Sequence, residues 1–211
     1  MSKIAIRDMK CASCGGTMEQ RVVMSVYVRD KCLDGRLLCA PTVLYECQKC
    51  HYSASSIEFI DDETKAYVQS AEFQEKCKAY SGPEFLRKFD FAIDIASHTG
   101  NMYDAARYCL KGAWVCDDKD LKEKAKAYRM KYLEYVRHLT VIPKDEFFVY
   151  LDVCRRVRNF THAEEFYNHL KSEFSRAKLK IPKCAEYEMY LCKQHDSNNH
   201  TFGEMKNSHW E

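Results

Sequence analysis

The chain has 211 residues, 46% hydrophobic and 30% charged, with a net charge of +2. That balance is globular, and so small a charge does not by itself announce a nucleic-acid or membrane partner. Seven Gly and four Pro are few for an all-β sandwich or barrel, and no apolar run approaches the ~18 residues of a membrane span. What needs explaining is twelve cysteines. They fall below the roughly 8–10% that marks a disulfide scaffold. The opening MSKIAIRDMKC has no apolar targeting stretch, so a cytoplasmic location and no membrane partner are expected. In a reducing compartment thiols serve as metal ligands, core residues or redox groups.

Six cysteines lie in the first fifty residues: Cys11, Cys14, Cys32, Cys39, Cys47 and Cys50. Four form matching pairs, C-A-S-C at Cys11 and Cys14 and C-Q-K-C at Cys47 and Cys50. Two residues between thiolates let one tight turn offer both sulfurs to one metal. Two such turns supply the four ligands of a tetrahedral zinc site. Gly15 and Gly16 follow the first pair, where the turn needs freedom at positive φ. His51 follows the second pair, a weaker fit. Residues 17–29 and 36–46 are rich in β-branched and aromatic types, with Asp34-Gly35 between them as a turn signal. This pattern predicts two strands joined by a hairpin that brings the pairs together, a zinc ribbon. Iron accepts the same four sulfurs and ranks behind zinc. Thioredoxin-like chemistry expects a βαβ setting, which is absent. Cys32 and Cys39 are too far apart for a knuckle and read as hairpin residues. Four protein sulfurs leave no open position, so the expected Zn²⁺ is structural.

From residue 64 the texture becomes helical. Residues 64–80 read as one helix stopped by Ser81-Gly82-Pro83, and 84–98 as a second, ended by Thr99-Gly100-Asn101. Residues 102–116 form a third. A fourth, capped by Asp118, runs over 119–139 with apolar residues at steps of three and four. Pro143 opens a fifth that ends near Arg158, a sixth covers 161–177, and a short one covers 184–194 before a polar tail. Short turns between helices favour antiparallel neighbours.

Two stretches align with each other. Residues 100–112 (GNMYDAARYCLKG) match 158–170 (RNFTHAEEFYNHL), and upstream Phe89 matches Phe147, Ile93 matches Leu151 and Ala96 matches Cys154. A bulky residue early in one helix, an Asn-aromatic turn and an alanine opening the next resemble the tetratricopeptide repeat (TPR). The copies lie 58 residues apart, beyond the ~34 of tandem repeats. Together with YECQKCHYSA at 45–54 and GNMYDAARYCLKGAWVCDD at 100–118, the layout resembles an uncharacterised bacterial family with an N-terminal zinc ribbon and C-terminal TPR-like helices. That resemblance implies a cytoplasmic zinc-binding protein without an assigned reaction.

The expected fold class is α+β: a zinc-ribbon domain over 1–60, a TPR-like helical domain over 61–195 and a polar tail over 196–211. No P-loop, G-x-G-x-x-G, H-E-x-x-H or G-x-S-x-G occurs, which weakens the case for an enzyme, and no catalytic residue is assigned. Asp117, Asp118 and Asp120 read as helix-end acids. Cys184, Cys192, His195 and His200 make only a loose metal pattern. The expectation is a non-catalytic protein whose helices bind a protein or peptide partner. RNA or DNA binding is the alternative, through the ribbon, the basic fourth helix and the Arg155-Arg156-Arg158 cluster.

Overall fold

The computed structural model describes residues 2–139 and 146–210. The fold is α+β, with short antiparallel strand pairs first and helices after them. It divides into two compact units. One gathers the residues up to Tyr27 together with 41–139; the other gathers 28–40 and the described residues from Glu146 onward.

In the first unit, β1 (Lys3–Lys10) pairs antiparallel with β2 (Thr17–Ser25), while β3 (Tyr45–Glu46) pairs with β4 (Ser53–Ala54). The hairpin expected from 17–29 and 36–46 is therefore replaced by two others, each closed by its own cysteine turn. One face of β1–β2 carries Met9, Met18 and Val22 inward, at the two-residue period a half-buried strand requires. Five helices follow: α1 (Asp62–Gln69), α2 (Ala71–Ala79), α3 (Glu84–His98), α4 (Met102–Asp117) and α5 (Lys122–Val136). The helix expected over 64–80 breaks at Ser70, whose extended backbone ends α1 while its hydroxyl accepts from the Phe73 N–H to cap α2. Asp118 ends α4 rather than capping α5, which starts after Asp120 turns left-handed at φ +55°.

On α3, Asp90 accepts from the Tyr80 and Tyr128 hydroxyls at 2.9 and 2.6 Å, tying α2 and α5 to it. One turn on, Asp94 accepts from Tyr67 at 2.6 Å and pairs with Lys76 at 3.0 Å. The paired α4 and α5 approach closely because Gly112 has no side chain; a Cβ there would lie 2.9 Å from the Tyr128 ring.

The second unit holds α6 (Glu146–Arg156), α7 (Phe160–Arg176), α8 (Lys183–Lys193) and α9 (Phe202–Asn207). Pro143, expected to open the fifth helix, lies outside the described residues. Asp34-Gly35 does make a turn, with Gly35 at φ +85° and a bridge between Lys31 and Leu37, but it belongs to this unit. Residues 201–207 are ordered by a capping box: Thr201 Oγ1 accepts from the Glu204 N–H while the Glu204 carboxylate accepts from the Thr201 N–H.

The two aligned stretches adopt matching geometry, one in each unit. Gly100 and Arg158 take left-handed φ of +72° and +65°. The next N–H reaches back five residues, Asn101 to Ala96 at 2.8 Å and Asn159 to Cys154 at 2.9 Å, closing the helix before it. Each asparagine then caps the helix after it, and the aligned Ala105 and Ala163 are fully buried.

Candidate metal centre

The two cysteine turns are built alike. In the first, the Cys11 N–H donates to Gly16 O and the Gly15 N–H to Cys11 O, both at 2.8 Å. In the second, the Cys47 N–H donates to Tyr52 O at 2.9 Å and the His51 N–H to Cys47 O at 2.8 Å. Gly15 and His51 occupy the same left-handed position, at φ +73° and +60°. His51 therefore fills the place that sequence pattern reserves for glycine. Its Nδ1 lies 2.9 Å from the Glu46 carboxylate, which also accepts from Arg87 at 2.9 Å. Those partners on β3 and α3 hold His51 in a conformer that non-glycine residues seldom adopt.

The turns face each other. The ligand atoms of Cys11, Cys14, Cys47 and Cys50 all lie within 4.8 Å of one another. Cys11 Sγ is 3.7 Å from Cys50 Sγ, and Cys14 Sγ is 3.6 Å from Cys47 Sγ. Both separations are far beyond the ~2.05 Å of a disulfide. A tetrahedron with zinc–sulfur bonds of about 2.3 Å has sulfur–sulfur edges of about 3.8 Å. Four sulfurs at this spacing can take one tetrahedral metal ion.

The electrostatics fit such an ion. Burial pushes the Cys11 and Cys50 thiols up. Cys14, half-buried, is lowered: its own burial opposes this, but the Gly16 N–H and the neighbouring thiols outweigh it. Bringing buried thiols to the thiolate form needs a compensating cation, and a metal supplies it.

The surroundings also fix the turns. Cys11, Cys47 and Cys50 belong to a core with Met9, Tyr52, Ile57, Phe73 and Phe91. Gln69 Nε2 donates to Ser13 O at 2.7 Å, and Gln74 Nε2 donates to Cys50 O at 3.2 Å and Val68 O at 2.9 Å. The Ala12 N–H donates to Ile57 O at 2.8 Å. α1 and α2 thus clamp one cysteine turn each through a glutamine. Nothing in the local sequence of Gln69 or Gln74 marks this role, which arises from packing with residues 24–56 positions away.

Cys184, Cys192, His195 and His200 form no comparable group among the described residues. Burial first, and then the nearby Glu188, lifts the thiols of Cys184 and Cys192, and His200 sits between the carboxylates of Asp196 and Glu204. Asp117 pairs with the buried Arg129 instead of forming an acidic metal cluster. The expected basic cluster is partly internal: Arg155 is fully buried and Arg156 pairs with Asp34 at 3.2 Å. No helix among the described residues is long and apolar enough to cross a membrane.

Comparison with family models, with curated proteins and with solved structures found no match to this chain.

Proposed function

We propose that this is a non-catalytic zinc-binding protein of the cytoplasm, with Cys11, Cys14, Cys47 and Cys50 as the four ligands of a structural Zn²⁺. The carrying observation is the mutual spacing of the four sulfurs, set by two turns with the same hydrogen-bond pattern. With four protein ligands the ion has no open position for water or substrate, so its contribution is to folding. It joins two hairpins too short to be stable alone. Iron fits the same donors, and elemental analysis separates the two. The expected result is one zinc per chain, lost in Cys47→Ser; a metal-free chain with the same fold overturns the reading.

The helix–turn–helix units, TPR-like in pattern, present a surface for a protein partner. Their repeated caps and buried alanines support a common scaffold for such a surface. A second reading, nucleic-acid binding, draws on the exposed Lys122, Lys124, Lys126 and Lys131 of α5. It predicts binding that falls steeply with salt, and a gel-shift series without binding at low salt removes it.

A further inference from the structure

The β1–β2 hairpin is a two-stranded sheet among the described residues, so each strand has one partner and one open edge. Its inward face is covered by the core around the cysteine turns, but its outward face is not. Ile4 is 46% exposed and Ile6 69%. Natural sheets blunt such edges with proline, bulges or short strands. β2 has no proline over its nine residues, and its one irregularity lies at the open end, where the register shifts at Met24 and leaves Thr17–Val23 regular.

The outward charges are poorly matched within the hairpin. Glu19 stands directly opposite Asp8, and Arg21 directly opposite Ile6. Like charges facing across strands destabilise a sheet, and a cation opposite isoleucine gains no ion pair. Glu19 and Arg21 sit two residues apart, therefore on the same face, with Gln20 between them. A two-fold axis through Gln20 that sets a second β2 antiparallel to the first places Glu19 of each copy opposite Arg21 of the other. It also places Met18 opposite Val22 and Thr17 opposite Val23. Antiparallel pairs join residues whose N–H and C=O point to the same edge, and a register centred on a residue satisfies this.

We infer that β2 is a self-association edge: two copies of this chain join β2 to β2 into one four-stranded sheet, with reciprocal Glu19–Arg21 ion pairs fixing the register. The occupant is a second copy because the charge pattern is complementary to itself under that axis, and because the pairing relieves the Glu19–Asp8 conflict.

Sedimentation equilibrium on the full, metal-loaded chain over about 5–200 μM tests this. Wild type is expected to approach twice the single-chain mass. Arg21→Glu and Glu19→Arg each turn the reciprocal pairs into repulsions and raise the dimer dissociation constant about tenfold or more. Mixing the two variants in equal amounts restores the doubled mass, because each then faces the opposite charge. Unchanged zinc content and far-UV circular dichroism verify that both variants fold, and read the metal centre separately from the interface. A wild type that stays a single chain throughout, reversals that leave association intact, or a mixture that fails to recover it overturns the inference.

Discussion

The two units stabilise buried polar chemistry in opposite ways. The first gathers four cysteine sulfurs among aromatic rings, with the Cys11 and Cys50 thiols raised by burial. The second buries full charges. Arg155 donates from Nε to Glu188 and from Nη2 to Asp152, each at 2.6 Å, and from Nη1 to the Asp196 and Asn198 carbonyls at 2.8 Å. All three ionisable side chains are shielded from water, and the second oxygens of Asp152 and Glu188 have no hydrogen-bond partner. One guanidinium thus compensates two carboxyls directly. An interior built around four candidate metal ligands and one built around buried ions should break under different insults, and the lesson is that one global stability figure would conceal both.

The largest effect separates them by metal removal. Structural zinc in small modules contributes on the order of 10 kcal/mol of binding free energy to folding. Chelation, or Cys47→Ser, is expected to abolish amide-exchange protection in the cysteine turns and in β1–β2. Protection in α6 and α8 should survive. Hydrogen exchange read by mass spectrometry distinguishes this from uniform loosening of the whole chain, which would dissolve the contrast between the units.

Next in size is the buried ion cluster. Arg155→Met leaves Asp152 and Glu188 without their cation in a water-free site, and removing one partner of such a group costs about 3–5 kcal/mol. Replacing Arg155, Asp152 and Glu188 together by apolar residues of similar volume should cost far less, because no unpaired charge remains. Denaturant melts of the two variants rank them. A triple variant as unstable as the single one would mean that packing, not charge, dominates the site.

This cluster also shows what was legible in sequence and what was not. The knuckles, the ends of α3 and α8 and the Asn101 and Asn159 caps follow from local rules, because spacing, caps and turns act within a few residues. Partners distant along the chain do not follow. Residues 28–40 look like ribbon, yet Asp34 pairs with Arg156 across 122 positions and Asp30 accepts from the Gly203 N–H across 173. Arg155 looks like a surface cation beside Arg156 and Arg158, and only burial against Glu188 reveals otherwise. Ser70 could have been read as a cap inside the 64–80 stretch, but continuous apolar spacing on both sides disguised it. Likewise Thr201-x-x-Glu204 is a capping-box pattern present within the expected tail.

Acidity sharpens the comparison further, with opposite signs. Burial, then the neighbouring Asp152, raise Glu188 from 4.5 to about 8, while Arg155 opposes them. The folded unit therefore keeps a proton that the unfolded chain loses. Its contribution is fully present below pH ~4.5 and is lost as pH rises toward about 8, a decline on the order of a few kcal/mol. Glu188→Gln, which carries a permanent neutral amide, should flatten the alkaline loss in the second unit. The metal centre responds the other way, since acid protonates thiolate ligands and releases the ion. Unfolding of α6 and α8 followed by exchange, against metal release followed by a colorimetric chelator, should give two curves of opposite slope. Parallel curves would contradict the separate origins assigned to the two interiors.

The smallest effect concerns a helix that depends on neither metal nor buried ion. α9 has six residues, too few for a stable isolated helix, and no fully buried side chain. Its order rests on the Thr201–Glu204 box and on Phe202 and Met205 packing against Leu33, Tyr187 and Leu191. Trp210 adds a bond from Nε1 to Met205 O at 3.0 Å. Thr201→Ala removes the hydroxyl that accepts the Glu204 N–H, a loss of about 1 kcal/mol. Thr201→Ser keeps that acceptor and should recover most of it. Because the cost falls on the edge of a small cluster, it should appear as faster exchange in 202–207 and increased Trp210 quenching by iodide, with little change in α6 or α8. Equal loss in the Ser and Ala variants would show that the threonine methyl, and not the cap, holds this end of the unit.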